Sequence, residues 1–547
     1  MAKRIALLIF ILALALAATY LHRAANDVGE LADQTEFAPA RSRSGGSGES
    51  SRFSLSREGF SPSVMPPADP PASADEPEGL PPDAIPGEEV LMFYDDTHLR
   101  AFLDIAAEEG VDIVGKIDSL RAVRVRLSDA SALRRALTRS PAPIARGPNH
   151  FVRRPEPPAD PPEGVSYSPF GDGAAAWLGA AADRARWGEG ITVAVLDTAV
   201  VPEATDGGVQ VIDLVNEVTG DTPATHGTAV ASIITGGDDV SGVAPAADIL
   251  AVRVMSDNGV GNTFTLAQGV LDAVDRGARV INMSLGSRAD APVLGQAIAY
   301  AQQQGAVVVA AAGNNGREGV LYPARYAGVL SVGAVDADGR QMYFSNRGKQ
   351  LDLVAPGLGV TAAGIDGEPI AFSGTSAATP IVAGALAGIW SESPELSGEE
   401  VSELIVRYAD DAGAPGHDTR YGSGVLNVGR VLERDTPGIV DMVVARPCIK
   451  QHPIYDDELV VTLFAQNRGT ETLDRVVLTA NVDGAPIDLT FYDVAVGERV
   501  RHDYRLTSAG VGERAITIEQ EVISRDREDR SPLDNRMIST LRVQSGR

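Results

Sequence analysis

One cysteine, Cys448, stands in 547 residues, which excludes internal disulfides, a thiolate zinc site and any CxxC redox pair. A lone cysteine of this kind reads as a small buried hydrophobe. Lysine is almost as scarce: Lys3, Lys116, Lys349 and Lys450 are the only ones, so arginine carries nearly all the positive charge. With 47 basic against 74 acidic residues the formal net charge is -27, and nucleic acid or anionic membrane surfaces are excluded as partners because both need clustered cations. What the chain has in quantity is apolar side chain, 44% of the total, enough for a sizeable core in two or three domains.

Lys3 and Arg4 precede an apolar run from Ile5 to Ala18, with the small-residue pattern Ala15-Leu16-Ala17 near its end. Residues 1–23 therefore read as a targeting segment, either a cleaved signal peptide or an uncleaved signal anchor, and the remainder is expected to be secreted, periplasmic or at the cell surface. Residues 24–86, rich in Ser, Gly, Pro and acidic side chains, cannot bury enough apolar surface to order themselves and are expected to form a flexible linker. Residues 87–154 change texture to a strand-helix-strand-strand-helix-strand pattern, and the prolines of 155–169 mark a second linker.

From 170 to 435, apolar and mostly β-branched runs (Ile191 to Leu196, Ile249 to Val254, Val280 to Leu285, Val307 to Ala311, Leu330 to Val335, Leu351 to Val354) alternate with helical patterns such as Thr265 to Arg276 and Val293 to Gln304. Continuous apolar strands separated by helices predict an α/β domain, a parallel sheet covered on both faces, with its site beyond the strands' carboxyl ends. Residues 436–547 switch to short alternating strands with turns at Asn467-Arg468-Gly469, Asp483-Gly484 and Ser508-Ala509-Gly510, the pattern of an antiparallel β-sandwich.

Chemistry concentrates in the middle domain. Ser376 lies in Phe-Ser-Gly-Thr-Ser-Ala-Ala-Thr-Pro, a serine framed by small residues at the start of a helical stretch. A serine hydroxyl needs a base within hydrogen-bond reach and a carboxylate to orient that base. Of seven histidines only His226 and His417 fall in this domain; His417 reads as a solvated loop residue, whereas His226 opens His-Gly-Thr-Ala-Val-Ala-Ser. Asp197 closes the first apolar strand, so the three residue types occur in the order Asp, His, Ser, one of the known orders for serine hydrolases.

These three phrases together make the chain resemble the subtilisin-like serine proteases, over roughly Gly171 to Leu432. The resemblance implies a three-layer fold around the parallel sheet and an Asp197, His226, Ser376 triad that hydrolyses polypeptides through an acyl-enzyme. It implies that Asn314, in Ala-Ala-Ala-Gly-Asn, donates to the oxyanion. It further implies that Ser284, Leu285 and Gly286 face Gly259 and Gly261 across an extended substrate, with Leu321 at the floor of the first specificity pocket. Residues 87–154 resemble the family's small α+β propeptide, an inhibitor of its own enzyme in an autoprocessed zymogen, with cleavage between about His150 and Tyr167. The C-terminal sandwich resembles immunoglobulin-like (CARDB-like) modules and would give a contact with the cell surface. Two departures stand out: Ala199 replaces the glycine usual two residues after the aspartate, and Gly236 to Gly242 is shorter than the family's calcium loop, which argues against calcium at that place; calcium is the one cofactor the resemblance implies, and no metal ligand is assigned. A catalytically inert surface-binding scaffold on the same fold is the alternative.

Overall fold

The computed structural model describes residues 52–57, 81–156, 161, 166–179, 184–215, 225–414, 416–445, 447–451, 458–507, 515–524, 527–530, 532 and 535–546. The targeting segment lies outside them, and so does the side chain of Cys448. Among the described residues no helix is long and apolar enough to cross a membrane.

Seven parallel strands form the central sheet, in the spatial order Leu353–Pro356, Leu330–Val335, Val307–Ala311, Val280–Met283, Thr192–Asp197, Asp248–Arg253, Val209–Asp213. Six of these correspond to the apolar runs of the sequence. The seventh, Val209–Asp213, sits at the sheet's edge, and Val211 is 57% exposed, so it carries no continuous apolar signal. Helices Thr225–Thr235, Thr263–Asp275, Pro292–Gln303 and Thr375–Glu392 cover the sheet, and the last is buried along nearly its whole length. Such burial tolerates only small and apolar side chains, which is the composition of Ala377 to Gly388.

The N-terminal unit runs Ala84–Met92, helix Asp96–Glu109, Asp112–Ile117, Ala122–Arg126, helix Ala130–Arg139, Ala145–Arg153. Its two helices begin on Asp95 and Asp129, whose carboxylates accept from main-chain N–H groups of the first turn. Its own small core gathers Phe93, Leu99, Phe102, Val123 and Leu133. The first strand begins at Ala84, ahead of residue 87, because Asp83 anchors the preceding turn: its carboxylate accepts from Arg288 N at 2.7 Å and its carbonyl from Phe151 N at 2.7 Å. Within the stretch expected to be a linker, Arg52–Arg57 also forms a strand, antiparallel to Arg536–Gly546.

The N-terminal sheet does not stop at its own boundary. Strand Ala145–Arg153 pairs antiparallel with Val260–Asn262, so a piece of the catalytic-type domain becomes its fifth strand. Asn149, fully buried at this junction, accepts from Thr263 Oγ1 (2.9 Å) and Phe264 N (3.2 Å) and donates to Glu88 (2.9 Å) and Asn262 (3.2 Å). It thereby joins Asn262 in capping helix Thr263–Asp275 from another unit of the chain.

The C-terminal region is an antiparallel sandwich. Strands Met442–Val444, Cys448–Gln451, Glu458–Asn467 and Arg499–Thr507 form one sheet, and Leu473–Val482, Ala485–Val494, Ala515–Ser524 and Arg536–Gly546, with Arg52–Arg57, the other. Val461, Leu463, Val476, Leu478, Ile516 and Ile518 share the core between them. Strand Ala485–Val494 is absent from the sequence reading; its inward residues, Ile487, Leu489 and Phe491, are only partly buried.

Two outcomes follow for the junction. Replacing Asn149 with Ala, in a chain also carrying Ser376→Ala, leaves Glu88 and the helix cap without their partner and should cost about 2 kcal/mol in urea denaturation. His150 is buried beside it, and burial holds its pKa below the usual histidine value. Its neutral form is therefore the one that fits: the junction is strongest above a free histidine pKa of about 6.5 and weakens as pH falls below it, since protonation costs more in the junction than in the released strand. Association of the two units measured against pH should show this loss, and His150→Gln should flatten it.

Candidate active site

Three chain segments end beyond the carboxyl edge of the sheet and bring the site together. Asp197 is the last residue of its strand and is completely buried. Its Oδ1 accepts from His226 Nδ1 at 2.8 Å and from Thr198 N at 2.7 Å. A buried carboxylate needs such donors, and the bond to Nδ1 leaves the other imidazole nitrogen, Nε2, on the far side of the ring. His226 sits in the first turn of its helix, 7% exposed, edge-on to Phe372 with ring centroids 5.3 Å apart.

Close packing beneath the pair fixes two small residues. Thr198 Oγ1 accepts from Gly227 N at 3.0 Å, and a Cβ at Gly227 would stand 2.6 Å from the Thr198 carbonyl oxygen and 2.7 Å from that of Ala199. Ala199 itself is absent from the positive-φ residues, so its methyl group meets no backbone penalty, and the Asp197 to His226 contact forms beside it.

Ser376 occupies the first turn of helix Thr375–Glu392, 2% exposed, and among the described residues its Oγ has no hydrogen-bond partner. Pro380, inside that helix, lacks the N–H that would bond the Ser376 carbonyl four residues back. Ser284 Oγ donates to that carbonyl instead at 3.2 Å, and Asn282 Nδ2 in turn donates to Ser284 Oγ at 3.2 Å. Ser284, expected at the substrate edge, thus also ties the serine-bearing helix to the end of strand Val280–Met283.

Asn314 follows strand Val307–Ala311. Its Oδ1 accepts from Thr375 N (2.9 Å) and Thr375 Oγ1 (2.8 Å), which turns the Nδ2 side toward the cleft. Gly374, at φ 126°, lies so close that a Cβ there would stand 2.8 Å from Asn314 Nδ2. Gly374 and Thr375 stand immediately before Ser376 in the sequence, and that adjacency is the one local sign of their contact with Asn314. Nδ2 donates to the main-chain carbonyl of Glu156 at 3.0 Å.

The two expected substrate edges flank a strand of the chain itself. Gly261 faces Val152 and Val260 faces Arg153, Arg154 N donates to Gly259 O at 2.9 Å, and Arg153 exchanges two hydrogen bonds of 2.8 Å with Gly286 on the opposite side. Leu285 is fully buried behind this edge. Leu321 is half-buried, and its side chain fills the space that a Cβ at Gly286 (2.7 Å) or at Gly313 (2.9 Å) would need. His417 is exposed, with Nε2 against the Leu351 carbonyl at 2.9 Å, and takes no part in the cleft. Asp238 and Asp239 form the exposed turn between Gly236–Gly237 and Val240–Ser241, and among the described residues no three His, Cys, Asp or Glu stand together as a metal would require. The Asp238–Asp239 turn by itself does not assemble the oxygen ligand set that calcium takes.

Comparison with known proteins identifies the family. Residues 188–424 match the family described as "Subtilase family". A thermostable alkaline protease of Halalkalibacterium halodurans is 38% identical over 257 residues, covering 46% of this chain and 70% of that protein. Subtilisin Savinase of Lederbergia lenta is 38% identical over 256 residues, covering 45% of this chain and 93% of that protein. A solved structure of the protease domain of PatA covers 45% of this chain and 96% of its own, at 32% identity and a TM-score of 0.42. With relatives of this identity matched over most of their own length, the chain belongs to the subtilase family and is a subtilisin-like serine endopeptidase.

Proposed function

We propose that the protein is an exported endopeptidase made as a zymogen, in which Ser376 is the nucleophile, His226 the base and Asp197 the residue that orients His226. The observation that carries this is the fully buried Asp197 holding His226 Nδ1 at 2.8 Å in a cleft already occupied by an extended strand of the same chain. His226 Nε2 takes the Ser376 hydroxyl proton as Oγ bonds the peptide carbonyl carbon. The oxyanion is met by Asn314 Nδ2 and the Ser376 N–H; the leaving nitrogen receives the proton from His226, and water then frees the acyl group by the reverse transfer. Polypeptides bind as a strand between Gly259 to Gly261 and Gly286. Residues 87–154 act as the propeptide, residues 170–435 as the catalytic domain and residues 436–547 as an immunoglobulin-like module that contacts a surface. The leading apolar run supports export.

Ser376→Ala should abolish peptide hydrolysis and fluorophosphonate labelling; Asp197→Asn should lower kcat by about 10⁴-fold, since an amide favours the wrong imidazole tautomer. Asn314→Ala should lower it by about 10²- to 10³-fold with little change in KM. A well-folded wild-type chain that neither labels nor cuts, even once the N-terminal unit is displaced, would establish the inert-scaffold alternative instead.

Leu321 fills the pocket between Gly286 and Gly313, so the residue before the scissile bond should be small. Ala peptides should be cut faster than Phe peptides, and Leu321→Gly should shift the Phe to Ala ratio of kcat/KM upward by about 10-fold or more. A clear Phe preference in the wild-type enzyme rules this out.

A further inference from the structure

The strand in the cleft carries a peculiarity of sequence at the point where it meets the reacting groups. Its ladder ends at Arg154, because Pro155 has no N–H to offer. Pro155 is buried, Glu156 is exposed, and the next main-chain group held by the domain is the Glu156 carbonyl, 3.0 Å from Asn314 Nδ2. The side chain of Glu156 therefore stays outside the pocket that Leu321 fills. The bond leaving this carbonyl carbon is the one to Pro157, with Pro158 after it.

From these positions we infer that the segment Arg153 to Glu156 is a strap that the active site binds, that the bond following it in the sequence is cleaved poorly, and that release of the N-terminal unit requires a cut at a bond other than Glu156–Pro157. This rests on the roles proposed above for Ser376, His226 and Asn314. Cleavage at this place would form the Ser376 Oγ to Glu156 carbon bond, pass the hydroxyl proton to His226, and then break the bond to the Pro157 nitrogen as His226 returns the proton to it. The nitrogen of Pro157 bears a ring carbon where every other residue has hydrogen, so the proton must be delivered to a more crowded atom. The same ring restricts the backbone of Glu156, the residue whose carbonyl has to rehybridise. A carboxylate that finds no room in the pocket adds to the mismatch. Binding through Val152, Arg153 and Arg154 is left intact, so the segment inhibits without being consumed.

The test compares the full wild-type chain with Glu156→Ala, with Pro157→Ala and with the double variant, followed by intact mass and N-terminal sequencing. A Ser376→Ala chain serves as the control for cuts made by other proteases. The double variant should release a fragment beginning at residue 157 at least 10-fold faster than wild type, with each single variant between them. A wild-type enzyme whose new N-terminus is Pro157, formed as fast as in the double variant, overturns the strap, and so does a double variant that cuts casein but gains no cleavage after residue 156. Chains that cut nothing and take no fluorophosphonate overturn the protease reading as well. A second measurement avoids dependence on folding of the variants: a synthetic peptide spanning residues 145–162 added to the activated enzyme should inhibit casein cleavage and be recovered uncut between Glu156 and Pro157, whereas the same peptide carrying both Glu156→Ala and Pro157→Ala should be consumed.

Discussion

A carboxylate with no exposure to water has to be matched by donors, and the way Asp197 is matched orders the rest of the site. Its two partners to Oδ1, the His226 ring and the Thr198 N–H, come from a helix start and from the turn that leaves the strand. That turn in turn packs so tightly on the helix that residue 227 has to be glycine. The charge thus sets the height of the helix on the sheet, and the imidazole inherits its position from packing that extends well below it.

A second constraint comes from missing hydrogen-bond donors. Pro380 removes one from the serine-bearing helix, and Ser284 replaces it from the end of the neighbouring strand, itself steadied by Asn282. Pro155 removes another from the strand in the cleft, where no replacement follows and the ladder stops. In the first case the gap anchors the helix start to the sheet; in the second it lets the chain depart from strand geometry just before the carbonyl that Asn314 holds. One property of proline, the missing N–H, thus anchors the start of the Ser376 helix in one place and ends a strand ladder in another.

Parallel strands are legible in the sequence wherever both faces are buried, because continuous β-branched runs have few other homes. Val209–Asp213, with one face in water, lacks a continuous apolar run, whereas Ala485–Val494 does alternate Ile487, Leu489 and Phe491 with polar residues, the period of a half-buried strand. The partners in the Asp197 to His226 contact, and Asn314 with Thr375 beside Ser376, all lie within phrases that stand out locally. The work of Thr375 and Gly374 was not legible there, since orienting an amide depends on which of its two ends faces a neighbour 61 residues away in sequence, a relation no local pattern encodes. Nor could spacing reveal that Glu156 would reach Asn314 across 158 residues.

Scarcity of lysine acquires a structural meaning where the C-terminal sandwich meets the middle domain. Arg430 is buried there, donating to the carbonyls of Tyr408 (2.9 Å) and Ala409 (3.1 Å) and to Asp410 (3.2 Å). Arg468 and Arg499 reach across from the sandwich to Asp410 (3.1 Å) and Asp411 (2.9 Å). Burial pushes Asp411 up to about 6 despite the pull of Arg499, so the pairing is not a free gain in stability. All three of the Arg430 bonds leave Nη1, while Nε donates to the Arg468 carbonyl at 3.4 Å, a spread of donors over a planar guanidinium that a single ammonium centre lacks. Because the same Asp410 meets arginines from both domains, rotation of the sandwich would break paired, largely buried charges. The junction therefore selects one orientation of the two domains, and arginine is the side chain able to hold it.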